Sequence, residues 1–261
     1  DLHLSIRRQR QMCIRDSSPP WAGQGLNSGL RDVANLAWKL VAVLQGRAAP
    51  KIIASYDIER RGHATDLIGL ADNMGAVLGL TNPLMAGVRD WLFQAVNTVD
   101  NLRSHLLEFK FKPKATIIKG LVYHEREELR EGDLVGQLFV QPFVEDAERT
   151  RRRLDEVLGD SYAVLGYRVN PTAELSDTTK AYWARWNTRF IQVNRSRSGS
   201  RNQPLSADGV ISVEDVDNKL GNWFAKVRDC VVIVRPDRFV AAITTPERLE
   251  SVLAKLQGQL S

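Results

Sequence analysis

The sequence is poor in cysteine, in long apolar runs and in spaced metal ligands. Its 261 residues include two cysteines, Cys13 and Cys230, and four histidines. Two cysteines exclude a disulfide framework and are typical of a protein of the reducing cytoplasm. The histidines and cysteines show none of the spacings of a metal site, so no metal is expected. No apolar run is long enough to cross a bilayer, and no membrane association is expected.

The chain also lacks a charge excess that would indicate nucleic acid. The formal net charge is +5, and the first 17 residues contribute four arginines against two aspartates. Two basic runs, 149–153 and 194–202, lack interleaved aromatic residues, so we predict solvated surface segments and no nucleic-acid partner. A homo-oligomer is among the assemblies that the sequence allows.

A further absence concerns nucleotide binding: no predicted strand leads into a Gly-x-Gly-x-x-Gly motif. The chain has a different glycine-rich stretch at 18–40, which reads Ser-Pro-Pro-Trp-Ala-Gly-Gln-Gly-Leu-Asn-Ser-Gly-Leu-Arg-Asp-Val-Ala-Asn-Leu-Ala-Trp-Lys-Leu. Gly23 and Gly25 allow a ligand to approach the main chain closely. The first turn of the helix that follows would offer unpaired N–H groups and a partial positive charge to that ligand.

The periodicity after this loop predicts a helix from about Leu26 to Gln45, ended by Gly46. Apolar residues recur every three or four positions, so we predict that they form its buried face. These residues are Leu26, Leu30, Val33, Ala37, Leu40 and Leu44.

The stretch from Pro19 to Leu40 resembles the flavin-contacting segment of the FAD-dependent aromatic hydroxylases, the class A flavoprotein monooxygenases. In that family a Gly-Asp-Ala-Ala-His box runs into Pro-Pro-x-x-Gly-Gln-Gly-hydrophobic-Asn-x-Gly-x-x-Asp-x-x-Asn-Leu-x-x-Lys-Leu, and every part after the box is present here without gaps. The match is most similar to the branch that acts on 3-(3-hydroxyphenyl)propionate and related phenols.

The resemblance implies FAD as cofactor, NADH or NADPH as co-substrate, and transfer of one atom of dioxygen to a small phenolic substrate. It implies that Pro20 holds the turn beside the oxygen-reactive carbon of the flavin through its carbonyl group. The main-chain N–H groups of Leu26 and Asn27 would face the flavin edge that becomes negatively charged. The implied cofactor-binding residues are Pro20, Gly23, Gln24, Gly25, Leu26 and Asn27, with Pro20 as the catalytic position.

The Gly-Asp-Ala-Ala-His box is missing, and residues 1–17 stand in its place. The run 12–17, Met-Cys-Ile-Arg-Asp-Ser, resembles a translated sequencing adapter, so we interpret 1–17 as a non-native leader. The alternative is a basic arm or a short targeting peptide. Under the first interpretation the chain is the C-terminal fragment of a longer enzyme.

The middle of the chain is predicted to be helical up to about residue 107. Residues 52–64 resemble the Leu-x-x-Tyr-x-x-Glu-Arg helix of the family, and the Glu59, Arg60 and Arg61 cluster either anchors the preceding helix or forms a solvated face. The helix should continue over 65–80. Asn82 and Pro83 have the types of an N-cap and a first helical residue. The next helix should bury Trp91 in a core.

The predicted fold class is mixed, α+β or α/β. The resemblance implies that residues 18–107 are the helical C-terminal part of an FAD-binding hydroxylase domain, 108–145 a connector, and 146–261 a thioredoxin-like α/β domain similar to that of the phenol hydroxylase branch. The last part shows apolar strands near 162–167, 189–193 and 230–236. A turn at Asp237-Arg238 leads into the run 239–243, so these last two strands are predicted to form a hairpin. Thr245 and Pro246 open a final helix with Leu249, Val252, Leu253 and Leu256 on one face. Since no Cys-x-x-Cys pair occurs, we expect this domain to be structural and not redox-active.

Two other functions stay open at the level of sequence. One is a polyketide-type FAD hydroxylase or epoxidase of the same fold. The other is a non-catalytic interaction protein built from the helices and the thioredoxin-like domain.

The absent nucleotide-binding motifs predict that the 261-residue chain, purified alone, holds no stoichiometric FAD. The visible absorbance of the purified protein checks this, before and after incubation with FAD and desalting. A yellow protein with one flavin per chain would contradict the prediction.

Overall fold

The computed structural model describes residues 25–97, 115–124, 133–195, 209–227 and 230–261. These residues form two compact units. Unit 1 takes its described residues from 25–34, 60–97 and Ala115, and unit 2 takes them from 35–59 and from 116 onward. Two long helices therefore each contribute residues to both units. These units are defined by packing, so the family-based domain bounds given above stay predictions.

Within residues 25–97 the structure has three α-helices and one short 3-10 helix. They are α1 (Gly25–Leu44), the 3-10 helix (Pro50–Ala54), α2 (Ser55–Leu78) and α3 (Pro83–Asn97). The predicted helix stop is confirmed, because Gly46 follows α1 with a positive φ of 67°. Such an angle favours glycine. The predicted start of α3 is also confirmed, since Asn82 Oδ1 accepts from Leu84 N at 3.0 Å. The prediction that this helix reaches about residue 107 cannot be followed past Asn97, where the described residues of this segment end.

The buried face predicted for α1 is wrong. Leu26, Leu30 and Val33 are 77%, 60% and 64% exposed. The remaining members of the predicted face, Ala37, Leu40 and Leu44, are exposed too. The helix instead buries the polar residues Asn35 and Lys39 together with Ala42, and Trp38 and Val43 pack against the same core. Paired polar side chains can be buried at low cost, so the pairing of Asn35 and Lys39 within unit 2 and the packing of their apolar neighbours together set the inward face.

The predicted core position of Trp91 on α3 is also wrong, because this side chain is 66% exposed. Its apolar neighbours on the same helix are exposed as well, namely Leu84, Met85, Val88, Leu92 and Phe93. Apolar spacing along α3 is therefore real, but no described residue covers it.

Unit 2 contains a seven-stranded mixed sheet. Its strands are β1 (Phe143–Glu145), β2 (Arg151–Arg153), β3 (Ala163–Tyr167), β4 (Arg189–Arg195), β5 (Val210–Asp215), β6 (Val231–Val234) and β7 (Val240–Thr244). The spatial order is β2-β1-β5-β4-β3-β6-β7. The pairs β3–β4 and β4–β5 are parallel, and the other neighbours are antiparallel.

Four helices complete this unit: α4 (Leu154–Leu158), α5 (Asp177–Ala184), α6 (Lys219–Phe224) and α7 (Pro246–Leu260). The order β4-β3-β6-β7, with α5 between the two parallel strands and α7 after the terminal hairpin, is the thioredoxin arrangement. The predicted mixed fold class is therefore confirmed. Thr245 does occupy the N-cap position of α7, but its side chain makes no capping hydrogen bond.

The core of unit 2 lies between the sheet and α7. Continuous apolar strands such as β6, in which all four residues are buried, are typical of strands covered on both faces. The predicted apolar face of α7 is confirmed, because Leu249, Val252, Leu253 and Leu256 are buried. Leu260, which was not part of the prediction, is buried as well. Tyr162 lies within this core with edge-to-face contacts to Trp38, Trp183 and Trp186 at 5.3–5.8 Å between ring centroids.

This packing predicts a large difference between two strand isoleucines. Ile233→Ala, in the fully buried β6, should lower the free energy of unfolding by about 2–5 kcal/mol through lost burial and a residual cavity. Ile211→Ala, at a 36% exposed position of β5, should cost clearly less. Urea unfolding of both variants and the unsubstituted chain measures this, and equal losses would contradict the assigned core.

Candidate functional site: a glycine loop and the buried network beside its helix

The predicted flavin-contacting residues fall partly inside the described part of the chain. Pro20, Gly23 and Gln24 lie outside it. Gly25, Leu26 and Asn27 form the first turn of α1, and the side chains of Leu26 and Asn27 are exposed. This turn contains no acidic residue, so its partial positive charge is not cancelled from within the helix. An electron-rich or anionic group fits such a position.

The second and third turns of α1 are held by α2. Arg60 Nε donates to Asp32 Oδ1 at 2.6 Å, and its Nη2 lies 3.5 Å from Ser28 Oγ. Arg60 is buried, and the Asp32 side chain is partly buried. Of the two interpretations of the Glu59, Arg60 and Arg61 cluster, this pair favours the anchor for Arg60, since a solvated face would leave the guanidinium in water. Arg61 is exposed.

A second anchor lies within unit 2 and is entirely buried. It joins the side chains of Asn35, Lys39, Glu59, Arg235 and Asp237, which we call the Glu59 network. Two carboxylates face two cations, so the network carries no net formal charge. Buried charges are tolerated when they are paired and hydrogen-bonded, and these groups satisfy both conditions.

Arg235 is the most connected residue of the network. Its Nη1 and Nη2 donate to the two oxygens of Glu59 at 2.9 and 2.7 Å. Its Nε and Nη2 donate to the two oxygens of Asp237 at 3.0 and 2.7 Å. The remaining Nη1 donor reaches the carbonyl oxygen of Leu121 at 3.3 Å. All five N–H groups of the guanidinium therefore have acceptors.

Glu59 also accepts hydrogen bonds from two side chains of α1. Its Oε2 accepts from Asn35 Nδ2 at 2.6 Å and from Lys39 Nζ at 2.9 Å. Lys39 Nζ also donates to Asn35 Oδ1 at 2.8 Å. The anchor of the preceding helix thus includes Glu59 as well as Arg60.

A loop of unit 2 closes the network through its main chain. The N–H group of Leu121 donates to Glu59 Oε1 at 2.8 Å. Gly120, with a φ of 127°, lies so close that an added Cβ would stand 2.4 Å from Glu59 Cγ. Glycine is therefore required here for both its backbone angle and its lack of a side chain.

Charge and burial oppose one another in the pKa values of the network. Burial alone would raise the pKa of Glu59, but the charge and hydrogen bonds of Arg235, with Lys39 and Asn35, lower it to about 2. Burial lowers the pKa of Lys39 to about 8, against the attraction of Glu59. Burial would lower the pKa of Arg235, yet Asp237 and Glu59 keep it above its ordinary value. The pair of Glu59 with Arg235 therefore stays ionised near neutral pH.

His63 lies one turn beyond Glu59 on α2 and is 6% exposed. Neither ring nitrogen has a hydrogen-bond partner among the described residues. Burial lowers its pKa, helped by the charges of Arg60 and Arg31. The described residues contain no cluster of histidine, cysteine and carboxylate groups that could hold a metal.

The predicted basic run at 149–153 is neutralised by acids in the sheet region. Arg149 pairs with Glu214 at 3.2 Å, Arg151 with Asp217 at 3.3 Å, and Arg152 with Asp146 at 2.6 Å. The other basic run, 194–202, lies largely outside the described residues. Among those residues, none of the helices is long and apolar enough to cross a membrane.

Sequence reasoning placed Arg235 and Asp237 in a predicted strand and turn but assigned them no part in the site. The available signal was a charged residue directly after the apolar run 230–234 and an acid two positions later. It also missed Asn35 and Lys39, whose spacing of four places them on one side of α1.

Two family models match this chain, one in its N-terminal part and one in its C-terminal part. Residues 5–71 match the model of an FAD binding domain, and residues 136–259 match the HcaD C-terminal domain. The first match starts inside the predicted leader, and the bound at residue 17 stays a prediction.

Curated relatives extend the likeness over nearly the whole chain. A 3-(3-hydroxy-phenyl)propionate/3-hydroxycinnamic acid hydroxylase of Burkholderia vietnamiensis is 44% identical over 243 residues, 92% of this chain and 44% of that protein. A hydroxylase of the same name from Mycobacterium avium is 38% identical over 259 residues, 98% of this chain and 44% of that protein. The chain belongs to the FAD-dependent aromatic hydroxylases. It spans less than half the length of these relatives.

Solved structures show the same fold at lower identity. The flavin-dependent monooxygenase PieE, in complex with FAD and substrate, matches with a TM-score of 0.57 and 19% identity, over 93% of this chain and 46% of that one. Aklavinone-11 hydroxylase, in a ternary complex with FAD and aklavinone, matches with a TM-score of 0.57 and 18% identity, over 92% and 42%. These matches support the hydroxylase fold alone.

Acid should weaken the fold through Glu59. A carboxylate with an ordinary pKa of 4.5 that is held at about 2 contributes stability that is complete above pH 4.5 and is lost as pH falls towards 2. The shift corresponds to about 3 kcal/mol. Urea unfolding from pH 5.5 to 2.5 should show this loss, and Glu59→Gln should reduce the slope.

The matched control for this experiment is Glu148→Gln, an exposed carboxylate outside the network. Its pH dependence should follow that of the unsubstituted chain. Equal slopes for Glu59→Gln and the unsubstituted chain would show that Glu59 does not carry the effect.

Proposed function

We propose that this chain serves in an FAD-dependent monooxygenase that hydroxylates a phenolic acid such as 3-(3-hydroxyphenyl)propionate, with NADH or NADPH as the reductant. The observation that carries the proposal is the 44% identity over 243 residues to the Burkholderia vietnamiensis hydroxylase. The substrate and the activity are those printed for that relative. Their transfer to this chain is part of the proposal.

The first turn of α1 is the described element that fits the flavin. Its exposed N-terminal end has no acidic residue, as contact with an electron-rich ring edge requires. We assign the main-chain N–H groups of Leu26 and Asn27 to that edge, and Pro20, Gly23, Gln24 and Gly25 to the adjoining loop. FAD supplies the oxygen-transfer chemistry when it is bound, and the chain supplies position and a field of the right sign.

The loop acts through its backbone in this assignment. Gly23 and Gly25 let the main chain approach the ring, since a Cβ would keep it at a distance. Pro20, the proposed catalytic position, would present its carbonyl group to the ring when FAD is bound. Helix α1 keeps its N–H groups directed at one place, because Arg60 holds Asp32 and Ser28 from α2. Preorganised dipoles of this kind stabilise developing negative charge at little reorganisation cost.

The other functional assignments follow from this proposal. Dioxygen and a small phenol are the substrates, and a reducing, cytoplasmic location supplies the nicotinamide cofactor. We propose no nucleic-acid or membrane partner, and a homo-oligomer is compatible with the assignment. The alternative activity, a polyketide-type FAD hydroxylase or epoxidase, is supported by similarity of fold alone. The alternative of a non-catalytic interaction protein is not supported by any contact among the described residues.

A chimeric enzyme tests the proposal. This chain replaces the matching part of the Burkholderia vietnamiensis hydroxylase, and the purified chimeric protein is assayed for bound FAD. NADH and NADPH oxidation is then measured with and without 3-(3-hydroxyphenyl)propionate. We expect one flavin per chain and substrate-dependent formation of the hydroxylated product.

The control variant is Gly25→Val in the chimera, which should weaken FAD binding at least tenfold, about 1.4 kcal/mol. A folded chimera that holds no FAD overturns the proposal. A chimera that binds FAD but hydroxylates larger fused-ring substrates and no simple phenol favours the polyketide-type activity.

A further inference from the structure

We infer that Arg235 and Asp237, in the β6–β7 hairpin, are positioning residues for the flavin-contacting helix α1. They act through Glu59, Asn35 and Lys39 and touch neither cofactor nor substrate. The flavin part of this inference rests on the proposed function, which places the first turn of α1 against FAD. The mechanical part rests on the contacts of the Glu59 network alone.

The hairpin is a rigid place from which to hold a helix. The strand β6 before Arg235 is fully buried, and the turn is closed by two main-chain hydrogen bonds of 2.9 Å, Arg235 N to Phe239 O and Arg238 N to Arg235 O. Asp237 fixes the guanidinium with a bidentate pair from within the same turn. The other edge of the guanidinium faces Glu59, to which Nη1 and Nη2 donate.

The Glu59 network contacts α1 through two side chains. Asn35 and Lys39 are one helical turn apart, and both donate to Glu59 Oε2. Asn35 Nδ2 also reaches Asp237 Oδ2 at 3.3 Å, which is a direct link from the helix to the hairpin. Two attachments one turn apart oppose rotation of a helix about its axis as well as translation along it.

Helix α1 connects these attachments to its own first turn. It is continuous from Gly25 to Leu44, and at 1.5 Å per residue the attachment at Asn35 lies about 15 Å along the axis from its first residue. Rotation of the helix would turn the N–H groups of the first turn away from a ligand by the same angle. A small misplacement of such N–H groups removes much of their contribution to the rate of a reaction.

This inference gives the thioredoxin-like unit a role that needs no redox chemistry. The unit contains Cys230 and no second cysteine, so it cannot form a disulfide within itself. Its contribution is one arginine whose five donors are all engaged. Lysine, with three donors and no planar fork, cannot reproduce this pattern.

Hydrogen exchange on the 261-residue chain tests the mechanical part, with Arg235→Lys as the variant. We expect amides of residues 36–44 to exchange at least tenfold faster, while those of β3 and β6 stay within twofold. A general loss of stability would accelerate every segment equally, and that result would overturn the inference. Unchanged exchange throughout would overturn it too.

The matched control is Arg238→Lys, in the same turn but paired with Asp155 outside the network. It should leave exchange in α1 unchanged. If Arg235→Lys does not fold, Asp237→Asn serves as the second variant. It keeps the side-chain shape, weakens one bidentate pair, and should accelerate the same α1 amides.

The chimeric enzyme tests the flavin part. Arg235→Lys should raise the dissociation constant for FAD at least tenfold, while the KM for the phenol, measured at saturating FAD, stays within twofold. An unsubstituted chimera without FAD would overturn the proposed function, and hydrogen exchange would still decide the positioning of α1. A chimera in which Arg235→Lys binds FAD normally would leave the function standing and overturn the positioning role.

Discussion

The double bidentate pairing of Arg235 is the interaction on which the rest of the described structure depends. One guanidinium joins Asp237 of its own hairpin to Glu59 of α2, and Glu59 in turn holds Asn35 and Lys39 of α1. Removing one partner would leave charges buried without compensation, at a cost of about 3–5 kcal/mol. The network therefore specifies one arrangement of these elements and strongly disfavours others.

Sequence patterns predicted the local elements well where burial follows apolar periodicity. The β6–β7 hairpin and the inward face of α7 are correct because both pack against an apolar core that the described chain itself supplies. Gly46 and Asn82 were recognised as helix signals because their effect is local. The thioredoxin-like character of the last domain follows from family resemblance, whereas the strand order comes from the structure, since no pairing of β3 with β6 can be inferred from spacing alone.

The same reasoning failed where long-range polar contacts decide the outcome. Periodicity placed Leu26, Leu30 and Val33 inside, yet α1 turns Asn35 and Lys39 inward because their partners lie about 200 residues away in the sequence or on α2. Trp91 was expected in a core, and α3 lacks a described partner for it. Of the candidate site, the sequence could indicate the loop by motif, whereas the geometry of the Glu59 network could be read only from the structure.

The division of residues between the two compact units has a practical consequence for dissecting the protein. The family match for the C-terminal domain covers 136–259, but the packing unit also takes in 35–59 and 116–124. A fragment expressed with the bounds of the family match would retain Arg235 and Asp237 and discard Glu59, Asn35, Lys39 and the Leu121 main chain. Such a fragment would contain Arg235 and Asp237 without the Glu59 and Lys39 side chains that pair with them in the whole chain. The stability measured on the isolated fragment would therefore differ from that of the same residues in the whole chain.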